Sequence, residues 1–445
     1  MKILIICSFF PPDTEIGAVK PYMIAKYLSQ FGHKVTVIRM GYIKETADNS
    51  YGNYKKDLEV LTAQGNDSDV AKYERGEPIK KNRTSNALAV PKYVDLLARF
   101  FLQPLIVYRR KKIKDHFFTL QKRVIDDLKA QGRSFDVVYS TFFQFENIFS
   151  GEYAAKIFKA KWIMEFRDPI RDTKVVNYPG CEVIWKIYAN KVQRHAVETC
   201  DLCTCVSEEL ANDFRKVNPN ANIKVMYNGY DNSEIQENQE IMSEPEHLTL
   251  CYTGTLWRES ARALEVLLVC LQSLITSSQI NQNKLKFHYA GRQFEEAQNL
   301  FQKCGVSDIL VNHKYVTRKD AEVIQFSSDI YVVLSWNTHR SRGVLTGKFY
   351  EGIRAKKPIL SVVVGNEANS ELYCLNEKYN YGFCYETSQE NILMPKLKEF
   401  LLNMYKEKIL KGKVTYDANE NLCKDFHYKN ISKKFENWCL ELLGQ

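Results

Sequence analysis

Lys2-Ile-Leu-Ile-Ile-Cys7 is an unbroken apolar run of strand length, the pattern of a strand covered on both faces. A loop from Ser8 to Gly17 follows, where Pro11 and Pro12 forbid continued pairing and Gly17 permits an unusual backbone conformation. Met23, Ile24, Tyr27, Leu28 and Phe31 then recur at helical spacing as far as Gly32, and Val35 to Ile38 supplies a second strand. Strand, helix and strand so close together form a βαβ unit, whose strands are parallel. The chain therefore opens with a parallel α/β domain.

At 445 residues, two or three domains are expected. Tyr51 to Ala89 is polar and aperiodic and reads as an insertion or mobile loop, spanning about 45–90. Phe135–Tyr139, Lys161–Glu165, Leu202–Val206 and Ile223–Met226 read as further strands. Asn232 to Glu246 is acidic, rich in Asn, Gln and Ser, and reads as an interdomain connection. The pattern then restarts with Leu248–Tyr252, a turn at Gly254 and a helix over Leu264–Leu274. Strands at Phe287–Ala290, Ile309–Val311, Ile330–Leu334 and Pro358–Val363 follow, alternating with helical segments. The economical reading is two tandem doubly wound α/β domains, at 1–230 and 247–415, joined by a linker at 231–246. The end, 416–445, reads as a C-terminal helix packing back toward the N-terminal domain.

Composition excludes whole classes. With 45% hydrophobic and 26% charged residues, disorder and coiled-coil rods are ruled out. A formal charge of +9 favours an anionic partner. The opening run lacks the length and cleavage site of a secretory signal, and Val94–Tyr108 carries Asp95, Arg99 and Pro104. A cytoplasmic location with reduced cysteines is expected. Cys200, Cys203 and Cys205 suggest a metal site, but the last two fall in an apolar strand and no second ligand pair stands nearby, so no metal is expected. The eight histidines show no metal spacing, and neither Gly-x-Gly-x-x-Gly after the first strand nor a Walker A loop occurs.

In such folds ligands sit at the carboxyl ends of strands, where helix N-termini present free amides. Three loops have that position: Pro11–Gly17, Thr253–Arg258 and Ser335–Gly347. The third is the richest. Gly343 and Gly347 allow close backbone approach, Thr346 is a candidate N-cap, and Lys348 and Glu351 ride on the helix that follows. Amides, helix dipole and Lys348 suit a diphosphate, and Glu351 suits a ribose diol. The competing description is a capped surface helix with an i,i+3 Lys/Glu pair.

These residues resemble glycosyltransferase family 4, over nearly the whole chain. The resemblance is carried by Phe9-Phe-Pro-Pro-Asp13 with Gly17, Trp162–Pro169, Asp201–Ser207 with Glu208 and Leu210, and Tyr227–Asp231. It continues in Tyr252–Thr255, Ala290-Gly291, and Gly343–Glu351 with Ala355–Pro358. The closest likeness is to the branch found in bacterial surface-polysaccharide gene clusters. It implies a GT-B fold, two Rossmann-like domains facing a central cleft. It also implies a retaining, metal-independent sugar transfer from a nucleotide-diphosphate donor, with no further cofactor. Glu351 matches the ribose-binding second acid of the family's Glu-x7-Glu motif, while Gly343 stands where the first acid belongs. Backbone amides of Gly343, Val344 and Leu345 are the candidate substitutes for that acid.

The family's basic pair on the diphosphate points to Arg258 or Arg262, with Lys348 as a further cation. Arg258 is favoured as nearer to the Gly254 turn. Base contacts fall near Tyr315-Val316-Thr317-Arg318. Members also keep a histidine in the first domain's cleft, but none occurs in Tyr139–Ile148. Asp168 is the candidate cleft carboxylate, with Arg167 as an anion contact, and a turn-forming Asp before Pro169 is the alternative. Catalytic weight is thus assigned to Asp168, Arg258 and Lys348.

The acceptor expected from the resemblance is lipid-linked or an oligosaccharide. Between Tyr93 and Lys114, apolar residues precede Arg109-Arg-Lys-Lys112, which suits an anionic membrane surface or a core helix with a basic end. Peripheral association with the inner face of the membrane is expected. A nucleic-acid partner is not, for want of stacking aromatics interleaved with those cations. The alternatives are a GT-B sugar-nucleotide epimerase or hydrolase, and an inactive nucleotide-binding scaffold.

Overall fold

The computed structural model describes residues 1–13, 16–41, 57–64, 111, 114–142, 145–168, 182–232, 244–339 and 341–445, and it builds them into two parallel sheets. The first contains β1 (Lys2–Cys7), β2 (Lys34–Met40), β3 (Glu59–Ala63), β4 (Val137–Phe142), β5 (Lys161–Phe166), β6 (Leu202–Cys205) and β7 (Ile223–Val225). Their order is β3-β2-β1-β4-β5-β6-β7. The second holds β8 (Leu248–Thr253), β9 (Leu285–Ala290), β10 (Leu310–Asn312), β11 (Ile330–Trp336), β12 (Ile359–Val364) and β13 (Gly382–Glu386), ordered β10-β9-β8-β11-β12-β13. In both sheets the first three strands run outward to one side and the fourth returns to the other side of the first, the doubly wound Rossmann arrangement. The gaps β1/β4 and β8/β11 are the switch points where such sheets admit ligands.

Two compact units result. One comprises Met1–Val206, Leu210–Tyr227 and Ile431–Gln445, and the other Ser207–Glu209 and Asn228–Asn430. In the first unit, β1 pairs β2 in the register Ile3 to Val35 and β4 in the register Ile3 to Val137. Helices α1 (Ile16–Gln30), α2 (114–130), α3 (Phe145–Phe158), α4 (Glu182–Thr199) and α5 (Glu208–Val217, from Leu210 on in this unit) alternate with the strands. Leu4, Ile6, Val138, Trp162, Met164 and Phe214 belong to its core. Cys203 and Cys205 are fully buried in β6, where they pack as small apolar residues.

In the second unit, α6 (Arg258–Thr276) buries Leu264, Leu267, Leu268, Leu271 and Leu274, the one-sided stripe of a helix lying on a sheet. The other helices are α7 (Phe294–Lys303), α8 (Arg318–Ser327), α9 (Gly347–Ala355), α10 (Glu371–Tyr379), α11 (Glu390–Lys411) and α12 (Glu420–Phe426). The last helix, α13 (Tyr428–Leu443), carries the chain back into the first unit. There Phe435 lies 4.9 Å from the Tyr139 ring and Glu436 Oε1 is 2.7 Å from His33 Nε2.

The structure corrects the reading of 51–89 as wholly irregular. Glu59–Ala63 is an edge strand paired in parallel with β2. Strand β13 and helices α2 and α3 were not anticipated. The segment 93–114 lies outside the described residues except for Lys111 and Lys114, as does most of the connection at 231–246. Lys114 Nζ stands 4.1 Å from the Phe149 ring and 2.8 Å from Asp115. No helix among the described residues is long and apolar enough to cross a membrane.

Candidate functional site

The second unit assembles its candidate residues at the β8/β11 switch point. β8 ends at Thr253, and the chain turns at Gly254 into α6. That turn is crowded from both sides. A Cβ on Gly254 would lie 2.9 Å from Lys348 Cε, and one on Gly291 only 2.1 Å from the Gly254 carbonyl oxygen. Glycine at both positions lets the loops after β8 and β9 cross, and it lays the Lys348 side chain along the Gly254 turn.

After β11 the chain makes a tight reversal, closed by mutual amide–carbonyl bonds between Thr338 and Ser341 at 3.2 and 3.0 Å. It then passes Gly343, whose φ of +65° lies in the left-handed region. Ser335 donates to the Val344 carbonyl at 3.2 Å and ties the loop to the strand end. Among the described residues, no acceptor stands at the Val344 and Leu345 amides. Thr346 occupies the N-cap of α9 as expected, but its hydroxyl makes no cap bond and has no hydrogen-bond partner among the described residues.

Lys348 and Glu351 form the i,i+3 pair, with Nζ donating to both carboxylate oxygens at 2.8 Å. Two further donors converge on Oε2: Gln325 Nε2 at 2.7 Å and the Tyr331 hydroxyl at 3.0 Å. Burial, with the Glu351 charge adding to it, pushes the Tyr331 phenol well above its ordinary pKa, so it stays a neutral donor. Gln325 also donates to Thr253 Oγ1 at 2.7 Å and accepts from Arg354 at 3.2 Å. Sequence reasoning missed Gln325 and Tyr331, since neither stands near Glu351 in the chain.

Arg258 is the first residue of α6 and Arg262 lies one turn on; both are exposed, and neither side chain has a partner among the described residues. Trp257 at the same helix start is 57% exposed. Val316 is half-buried in the loop after β10, beside Tyr315, over whose ring the Arg292 guanidinium stands at 5.3 Å. The switch point thus gathers Gly254, Gly343, Val344, Leu345, Thr346, Lys348 and Glu351 on adjoining strand ends.

In the first unit the carboxyl edge of the sheet brings Gly17 and Arg167 together, with the guanidinium donating to the Gly17 carbonyl at 2.7 Å. Asp168 follows, exposed, at the end of β5. Behind them sits a buried set that the sequence reading missed. Lys20 pairs with Glu165, which also accepts from Tyr139 at 2.8 Å and from Arg167 at 3.2 Å. Burial pushes the Glu165 carboxyl up, but the charges of Lys20 and Arg167 outweigh it and hold it below the ordinary carboxylate value. A glutamate inside the apolar strand Lys161-Trp-Ile-Met-Glu-Phe166 was the available signal, because a charge there requires a partner.

No family model matches the chain, and no curated protein resembles it in sequence. Solved structures do resemble it, along its whole length and at low identity. Sucrose-phosphate synthase from Thermosynechococcus elongatus is 11% identical, with a TM-score of 0.59 over 100% of this chain and 99% of that one. The lipopolysaccharide outer core galactosyltransferase WaaB, in its apo form, is 11% identical with a TM-score of 0.57, covering 98% of each chain. The catalytic domain of starch synthase IV from Arabidopsis thaliana, bound to ADP and acarbose, is 12% identical with a TM-score of 0.55 over 100% and 99%. The fold is that of the GT-B glycosyltransferases, two Rossmann-like parallel-sheet units.

Proposed function

We propose that the protein is a glycosyltransferase that moves a sugar from a nucleoside-diphosphate donor to a saccharide acceptor, with retention and without a metal. One observation carries the reading: Lys348, ion-paired with Glu351, lies against the Gly254 turn at the switch point of a Rossmann-ordered sheet. A cation and a carboxylate beside a glycine turn at that edge suit the phosphates and the ribose of a nucleoside diphosphate. Its phosphates meet Lys348, Arg258 and the Gly343–Leu345 amides, and its ribose diol donates to Glu351. In the free protein the Lys348 charge is neutralised by Glu351, so binding exchanges that ion pair for two ligand contacts. Catalysis then rests on positioning and on stabilising the charge of the departing diphosphate.

The acceptor side of this proposal belongs to the first unit, where Gly17, Arg167 and the exposed Asp168 adjoin. The proposal extends to a lipid-linked acceptor in surface-polysaccharide assembly, used by a cytoplasmic enzyme held at the inner membrane face through 93–114. Support for that extension is the apolar-then-basic sequence of the segment. A thermal-shift panel of UDP, GDP, ADP and CMP tests donor recognition, because a ligand of the native state raises its melting temperature. A diphosphate should stabilise the protein and CMP should not. Donor turnover that needs no acceptor would instead indicate an epimerase or hydrolase, and no diphosphate effect at all would overturn the reading.

A further inference from the structure

The two oxygens of the Glu351 carboxylate are not equivalent. Among the described residues, Oε2 accepts from Gln325, Tyr331 and Lys348, whereas Oε1 accepts from Lys348 alone. Gln325 is 3% exposed and Tyr331 is 0% exposed, so neither donor is free to leave. The half-buried Lys348 can leave.

The orientation of the Gln325 amide is fixed by its neighbours. Arg354 only donates and Glu351 only accepts, so the carbonyl must face the guanidinium and the amino group the carboxylate. The second amino proton goes to Thr253, the last residue of β8, which links the carboxylate to the strand end before Gly254. Tyr331, in the neighbouring strand β11, holds the same oxygen from the sheet side. One oxygen is therefore anchored to the framework by two buried groups, and the other is secured only by an exchangeable cation.

We propose that Gln325 and Tyr331 are positioning residues that pin Oε2 of Glu351 and so leave Oε1 to read the ribose diol of a nucleoside diphosphate when Lys348 moves to the phosphates. The inference rests on the nucleotide reading above and adds to it the residues that set ribose recognition. Without the pins the carboxylate rotates with Lys348, and the diol loses its fixed acceptor.

The test is a ligand-side double-mutant cycle. Calorimetry measures the affinity of the wild type for whichever of UDP, GDP or ADP it binds, and for the 2′-deoxy and 3′-deoxy counterparts. The same titrations are run on Tyr331→Phe and Gln325→Leu. Wild type should prefer the ribonucleotide by about tenfold or more, the scale of a hydrogen bond to a charged group. Each variant should cut that preference to about threefold or less while its affinity for the deoxy ligands stays near wild type. A structural weakening would lower all affinities together and leave the preference intact, and that outcome overturns the inference while sparing the nucleotide site. A wild type that does not distinguish ribose from deoxyribose overturns the Glu351 assignment itself. If Gln325→Leu fails to fold, Tyr331→Phe, which keeps the buried ring, decides alone.

Discussion

Gly343 lies against Ser207: a Cβ on Gly343 would come 2.5 Å from Ser207 Oγ and 2.9 Å from Glu209 Cβ. Together with its φ of +65°, this contact makes any side chain at the position costly. The glutamate that the family resemblance would put there fits only if the backbone strains and Ser207 and Glu209 give way.

A first prediction follows for Gly343→Glu. Restoring the acid should not improve donor use; it should destabilise the protein by about 1–3 kcal/mol through backbone strain, with the steric conflict adding to that. Urea unfolding reads the cost. A stable variant with tighter donor binding would contradict the described loop.

Diphosphate charge is assigned to Lys348, Arg258 and loop amides. Transfer should survive EDTA, and Arg258→Ala should raise the transition-state barrier by about 1.5–3 kcal/mol while leaving the melting temperature unchanged, since the exposed side chain has no partner to lose among the described residues. Strict dependence on Mn²⁺ or Mg²⁺ would count against this assignment. If Arg262→Ala shows the loss and Arg258→Ala does not, the two arginines exchange roles.

His288 Nδ1 and His313 Nε2 stand 2.9 Å apart at the β9/β10 edge. Burial, reinforced by His313, lowers the His288 pKa from 6.5 to about 4, against the pull of Glu244. Lys286 lowers it further and Asp329 opposes, while burial lowers His313 as well. The unfolded chain therefore binds more protons than the native one below pH 6.5. This contribution to stability is present above that pH and is lost as pH falls toward about 4. Replacing His288 by Phe should flatten the acid limb of a stability-against-pH curve. An unchanged slope would show that the pair does not titrate in this way.

How much of this was legible varies with the range of the interaction. The buried strands β1, β8 and β11 were plain, because a parallel strand between helix layers is predominantly apolar. β3 and β13 were not, since edge strands such as Glu59-Val-Leu-Thr-Ala63 are short and partly polar. Lys348 and Glu351 share one turn of helix, and their spacing was readable directly. Lys20 with Glu165, and Gln325 with Glu351, meet only because the topology brings distant segments to one strand edge. No local pattern encodes such pairs. The Thr346 hydroxyl shows the converse, a local rule that marks the N-cap position but does not guarantee the bond.

The segment 93–114 gives a prediction from sequence alone. Replacing Arg109, Arg110, Lys111 and Lys112 with Gln should release the protein from acidic liposomes, each cation near the surface contributing about 1 kcal/mol. Binding should fall steeply from low to physiological salt. A wild-type protein that ignores acidic vesicles at low salt would refute membrane attachment.

The central claim is that Glu351 receives the ribose of a nucleoside diphosphate whose phosphates take Lys348. Calorimetric titration of wild type and Glu351→Gln with that diphosphate, and separately with inorganic diphosphate, tests it most directly. The substitution should weaken the nucleoside diphosphate by about 1.5–3 kcal/mol. It should not weaken inorganic diphosphate, because Lys348 is then released from its ion pair. Equal affinity of both proteins for the nucleoside diphosphate would contradict the account.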